Sequence, residues 1–168
     1  MSDIQIGINP ANVRTAAEGS EFKVGTIASV SDPISGTVRD YIYVTSTAGI
    51  TDAGYVAYID PLTFTATMTT TANVATAPKI GYPLGVAQAV VPALGFGWVQ
   101  TYGPVNIRTG AAVAAGAAVS SFTSAGTVNT GITTAAAKFS GIAITTTAAG
   151  AQLTTAFLSY PVVANINL

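Results

Sequence analysis

Apolar and hydroxyl-bearing residues alternate through much of this chain, and a period of two fits a strand with one face buried and the other wet. The pattern is cleanest from Leu62 to Thr69, where Leu62, Phe64, Ala66 and Met68 fall on one side and Thr63, Thr65, Thr67 and Thr69 on the other. This segment is the sharpest strand signal in the sequence. Similar readings cover Phe22–Val30, Arg39–Ser46, Gly54–Asp60, Leu84–Val91, Phe96–Tyr102, Lys138–Thr146 and Gln152–Val163. Turn signals such as Ser31-Asp32-Pro33, Asp60-Pro61, Gly81-Tyr82-Pro83 and Gly103-Pro104 separate them. Thr, Ala, Val and Ile dominate while Leu, Lys, Glu and Arg are scarce, which favours strands over helices. The Ala-rich part from Gly110 to Val119 has helical propensity, but its two glycines and flanking Ser and Thr favour a strand and turn. Many short strands at this spacing predict an all-β domain, a β-sandwich or jelly-roll-like fold.

The first 21 residues differ from the rest. Ile4, Ile6 and Ile8 alternate ahead of Asn9-Pro10 and a polar run through Glu21. Two readings stay open: an N-terminal arm, residues 1–21, that adds a strand to a partner's sheet, or an ordinary first strand of the domain at 22–168. On the first reading the three isoleucines are partner contacts and the arm is separable from the domain. The carboxyl end, Ala164 to Leu168, alternates in the same way.

Ionic groups are rare. Charged residues make up 8% of the 168, six Lys and Arg against seven Asp and Glu, where a soluble domain carries about 25%. Area scaling gives a chain of this mass roughly 7,700 Å² of folded surface, or about one charge per 600 Å². Wide uncharged patches follow, and such patches mark interaction surfaces. With 49% hydrophobic residues and a mean hydropathy of +0.52, the chain reads as part of an assembly. Residues 1 to 60 hold all seven acids and three bases, a sum of −4, and residues 61 to 168 hold only Lys79, Arg108 and Lys138. Neither half is basic enough to coat a phosphate backbone, so nucleic acid is not an expected partner.

Missing residue types exclude further classes. Without His there is no imidazole base for Ser or Cys nucleophiles, and without Cys there is no thiolate, disulfide or zinc finger. Paired carboxylates for sugar hydrolysis would have to come from Asp32, Asp40, Asp52 and Asp60, three of which sit in or beside turn signals, where Asp bonds its own backbone. Lys138 and Ser140 share a strand face, with nothing further to make them a catalytic pair. Gly95-Phe96-Gly97 lacks the following Lys-Ser or Lys-Thr of a phosphate loop. Trp98 and Tyr102 read as anchors of the core or of a subunit interface, since aromatics on alternating strands pack more often than they stack sugars. No enzyme and no cofactor is expected.

Met1 to Glu21 has no apolar centre of a secretory leader. Ile80–Ile107 and Thr109–Ala137 are free of charge for more than 25 residues each, but Pro83, Pro92 and Pro104 break the first, and Ser120, Ser121 and Asn129 make the second too polar for lipid. No membrane association is expected. An outer-membrane barrel fits the alternation better than a helix does, but clear aromatic girdles are lacking.

One further pattern lies in the order of short cues along the chain. These are Val24-Gly25-Thr26, Asp40-Tyr41-Ile42-Tyr43-Val44, Val56 with Ile59-Asp60, Gly85-Val86-Ala87, Gly97-Trp98-Val99-Gln100 with Gly103, Gly141-Ile142-Ala143 and Tyr160-Pro161. In this order the chain resembles the capsid decoration, or cement, proteins of tailed bacteriophages, over most of its length after Phe22. The resemblance implies a small all-β virion protein, often a homotrimer, made in the host cytoplasm. It would sit on the capsid exterior where major capsid protein subunits meet and brace the head, with no catalytic residue to carry over. A head-fibre base or tail protein with glycan-binding loops is the alternative.

Overall fold

The computed structural model describes residues 7–31, 35–75, 79–130 and 136–166. They form an all-β fold with one short helix. The strands are β1 (Ile27–Ser31), β2 (Val38–Ser46), β3 (Val56–Ile59), β4 (Ala66–Met68), β5 (Leu84–Ala87), β6 (Gly95–Arg108), β7 (Val119–Ser121), β8 (Val128–Asn129), β9 (Ala137–Ile144) and β10 (Leu153–Ile166). The helix, α1 (Thr71–Ala75), is one turn closed by a reciprocal cap, in which Thr70 N donates to Asn73 Oδ1 at 2.8 Å and Asn73 N to Thr70 Oγ1 at 3.0 Å.

The ladders draw one antiparallel sheet in the order β4-β3-β5-β6-β10-β9-β7-β8, with β2 also on β6 and β1 on β2. A sandwich would stack two sheets; here the ladders join all the strands into one sheet, which curls. The bends fall in the two 14-residue strands, β6 and β10. Pairing of β6 with β2 ends at Tyr102–Asp40 with a register shift, and Gly103 follows at φ +94°. A Cβ on Gly103 would lie 2.4 Å from the Val38 carbonyl oxygen, so only glycine fits. In β10, pairing with β9 slips between Leu158 and Val162, where Tyr160 takes φ +46° and Gly141 faces the slip at φ +77°. Gly103-Pro104, a stop signal in the sequence, is therefore a bend inside a continuing strand.

The segment Leu62–Thr69 departs from its alternation. Asp60 Oδ1 accepts from Leu62 N at 2.8 Å and Thr63 N at 3.1 Å, and Phe64 turns to φ +53°. This local turn outcompetes the ladder. Only Ala66–Met68 pair as strand, and Leu62 stands 89% exposed. No helix forms in the Ala-rich part, where Val113 bridges Ala148.

Three clusters make the core. The largest joins β3, β5, β6, β9 and β10 through residues such as Leu84, Ile107, Phe139 and Leu158. A second gathers Val44, Ile50, Ile59 and Val99. The third is aromatic: Tyr41, Tyr43 and Trp98, with Phe22, Phe96 and Ile8 packed on it. Ring centroids lie 4.9 Å apart for Tyr43–Trp98 and 5.2 Å for Phe22–Trp98. Residues 7–21 lie along this cluster. Arg14 exchanges both backbone bonds with Phe96, at 2.9 and 2.8 Å, and Val13 packs on the second cluster. The described part of this stretch, residues 7–21, thus touches the domain through one bridge and a few half-buried side chains. Ile4 and Ile6 lie outside the described residues.

Two substitutions test this account of bending. Gly141→Ala brings a Cβ within 2.6 Å of the Ser159 carbonyl oxygen at a left-handed φ and is expected to destabilise by at least about 2 kcal/mol. Gly150→Ala, with open space around it, should stay within about 0.5 kcal/mol. Equal urea midpoints for the two would contradict it. Trp98→Ala in the aromatic cluster is expected to cost about 3–5 kcal/mol in the same unfolding experiment.

Candidate functional site

Asp40, Asp52 and Asp60 each have a structural partner. Asp60 caps its turn, and Asp52 pairs with Arg108 Nη2 at 2.6 Å. Asp40 accepts from Ser29 Oγ at 2.6 Å and from the Tyr160 hydroxyl. Asp32 lies outside the described residues. Among the described residues no group of three or more His, Cys, Asp or Glu could hold a metal. Gly95 and Gly97 serve packing: a Cβ on Gly95 would meet Arg14 O at 2.6 Å, and one on Gly97 would meet Val91 and Val13 side chains. The glycine pair thus makes room for residues 13 and 14.

Trp98 is 2% exposed and spends its surface on the chain's own core. Ile8 packs half-buried on the same cluster. Tyr102 is placed differently, half-buried in an aromatic row near the surface. Its ring stacks on Tyr160 at 5.1 Å and meets Phe157 edge-on at 5.5 Å. The row stands where β10 slips, and the left-handed backbone of Tyr160 swings its ring across to Asp40. Sequence periodicity carried no signal for this row, because its geometry comes from the slip.

Two concave features flank the row and share no lining residue. The first is an apolar groove of about 250 Å³ lined by Ile27, Ile42, Pro83, Leu84, Thr101, Tyr160, Pro161 and Val162. None of these is charged. Ile27 is 71% exposed and Tyr160 60%, and Ile27 sits opposite Ile42 in the β1–β2 register. Among the described residues β1 pairs only with β2, so its outer edge is free. The second is a cleft of about 360 Å³ with a mixed lining, in which Arg39, Gln88, Gln100, Asn106, Thr145 and Thr155 stand beside Pro104, Val105, Ala156 and Phe157. Buried Gln100 donates both amide hydrogens across the Gly103 bend, to Tyr102 O and Pro104 O at 2.9 Å each. That satisfies carbonyls the bend removes from the ladder and leaves Gln100 an acceptor only.

Two phenols are perturbed. The hydrogen bond from Tyr160 to Asp40 holds its proton on and raises its pKa above the ordinary tyrosine value; burial raises that of Tyr41, opposed by Arg39.

No known protein family matches the chain, and no curated protein matches it at a significant level. Among the described residues no helix is long and apolar enough to cross a membrane.

The raised Tyr160 value means that the fold favours the neutral phenol. Its contribution is present below the ordinary tyrosine range and is lost as pH climbs through the raised folded value. A spectrophotometric titration should therefore show two late phenols. Asp40→Asn should return one of them toward ordinary behaviour and Tyr160→Phe should delete it. A titration unchanged by Asp40→Asn would contradict the assignment.

Proposed function

We propose that the chain is a structural virion protein, a capsid decoration protein that binds the outer surface of a tailed-phage head and stabilises it, as a homotrimer contacting the major capsid protein. The observation that carries this reading is the uncharged apolar groove beside the edge of β1 that is unpaired among the described residues. Thirteen ionic side chains serve an accessible surface of 8158 Å², and the groove concentrates apolar exposure at Ile27 and Tyr160. Apolar area of this kind gains about 25 cal/mol per Å² on burial, and a free strand edge offers backbone bonds to an incoming strand. On this reading a neighbouring copy seats along β1 and covers the groove. The ordered resemblance to cement proteins supports the role, and so does the structural use of Asp40, Asp52 and Asp60. Repetition over a shell then multiplies modest single contacts.

The experiment pairs light scattering with co-sedimentation on phage heads that lack their decoration protein. Wild type should run as a trimer and pellet with heads. Ile27→Asp, at an exposed position, should keep the melting temperature, shift the protein to single chains and weaken head binding by about tenfold or more. A wild-type protein that stays monomeric and ignores heads overturns the reading, and a trimeric Ile27→Asp variant moves the contact away from β1.

A further inference from the structure

The cleft is unused by that reading, and its lining is specific enough to name a ligand class. We propose that it is a saccharide site, taking a short sugar that carries a carboxylate. At about 360 Å³ it falls at the small end of ligand pockets, which run roughly 300–1,000 Å³.

The chemistry of the lining decides the class. Gln88, Gln100 and Asn106 bring amides, Thr155 a hydroxyl, Phe157 an exposed ring and Arg39 the one cation. Hydrocarbon is disfavoured, because burying amides and hydroxyls without hydrogen bonds costs free energy. A polyphosphate needs several cations, and the cleft has one. A divalent metal needs oxygen anions, and no lining residue carries a carboxylate. A sugar ring answers every feature. Its hydroxyls both donate and accept, as amides and Thr hydroxyls do; its C–H face stacks on an aromatic ring; and a ring carboxylate answers Arg39.

The fold sets these groups at fixed places. Asn106 faces Thr155 and Pro104 faces Phe157 across the β6–β10 ladder, and Thr145 N donates to Thr155 O at 2.9 Å. Polar groups thus cross three neighbouring segments in a row, about 4.8 Å per strand, a spacing on the scale of one sugar ring. The hydroxyl of Thr155 lies 2.8 Å from that of Thr145 and 2.6 Å from that of Thr146. Such a chain of hydroxyls can reverse direction to suit a ligand. Gln100 has its amide hydrogens fixed on Tyr102 O and Pro104 O, which holds its buried side chain in place at the cleft wall.

The test titrates isotope-labelled full-length protein by NMR with digalacturonate, and with maltose as the neutral comparator. Amide shifts should centre on Asn106, Thr155 and Phe157, with maltose about tenfold weaker. Arg39→Gln should erase the difference between the two sugars while leaving maltose binding in place. Phe157→Ala should weaken both by about tenfold, with Asn106→Ala as the second variant should Phe157→Ala fail to fold. No saturable shift with either sugar, shifts centred elsewhere, or binding indifferent to both variants overturns the proposal. Sugar binding and head binding are scored separately, so a chain that binds digalacturonate and no head keeps this site and loses the virion reading.

Discussion

The molecule turns on backbone crowding at two glycines. With Leu, Lys, Glu and Arg scarce, the chain satisfies its peptide groups mainly through strand ladders, and one sheet can bury its own face only by bending. Gly103 and Gly141 bend it where a neighbouring carbonyl leaves no room for a Cβ. A side-chain hydrogen bond accompanies each bend. Gln100 caps the first with its amide. At the second, the slip turns Tyr160 toward Asp40. Gln100 lines one concave feature and Tyr160 the other, so the devices that shape the core also shape the surface.

The strand content was legible because it rests on composition and, in places, on a period of two, as at Ala137–Ser140 in β9 and Val105–Arg108 in β6. The segment after Asp60 misled because its alternation is real but its first residue is a strong turn former. Two short bonds to Asp60 cost less chain entropy than a long-range ladder, and Leu62 was left outside. The reading of Gly103-Pro104 as a stop failed for a related reason: a sequence shows that a backbone will turn but not whether a partner strand follows it round. The fit of Val13 and Arg14 over Gly95 and Gly97 carried no sequence signal either, since it is a tertiary match between distant segments.

Of the residues singled out for partner contact, Trp98 went to the core, Ile8 packs half-buried on the same aromatic cluster, and Tyr102 joined the row between groove and cleft. Of the residues that define the two concave features, Ile27, Arg39, Asn106 and Phe157 carry no motif. They meet only because β1, β2, β6 and β10 converge at the bends. Scarcity of charge announced that an uncharged surface must exist; the topology decided where it lies.

The functional account rests on association through apolar surface and strand edge, with ions taking little part. Sedimentation equilibrium of the full-length protein from low salt to high sulfate measures this directly. Screening weakens ionic contacts, and sulfate strengthens apolar ones. The account predicts an oligomer whose association holds or tightens as sulfate rises. Single chains at every concentration, or an oligomer that dissociates as salt is added, would contradict it.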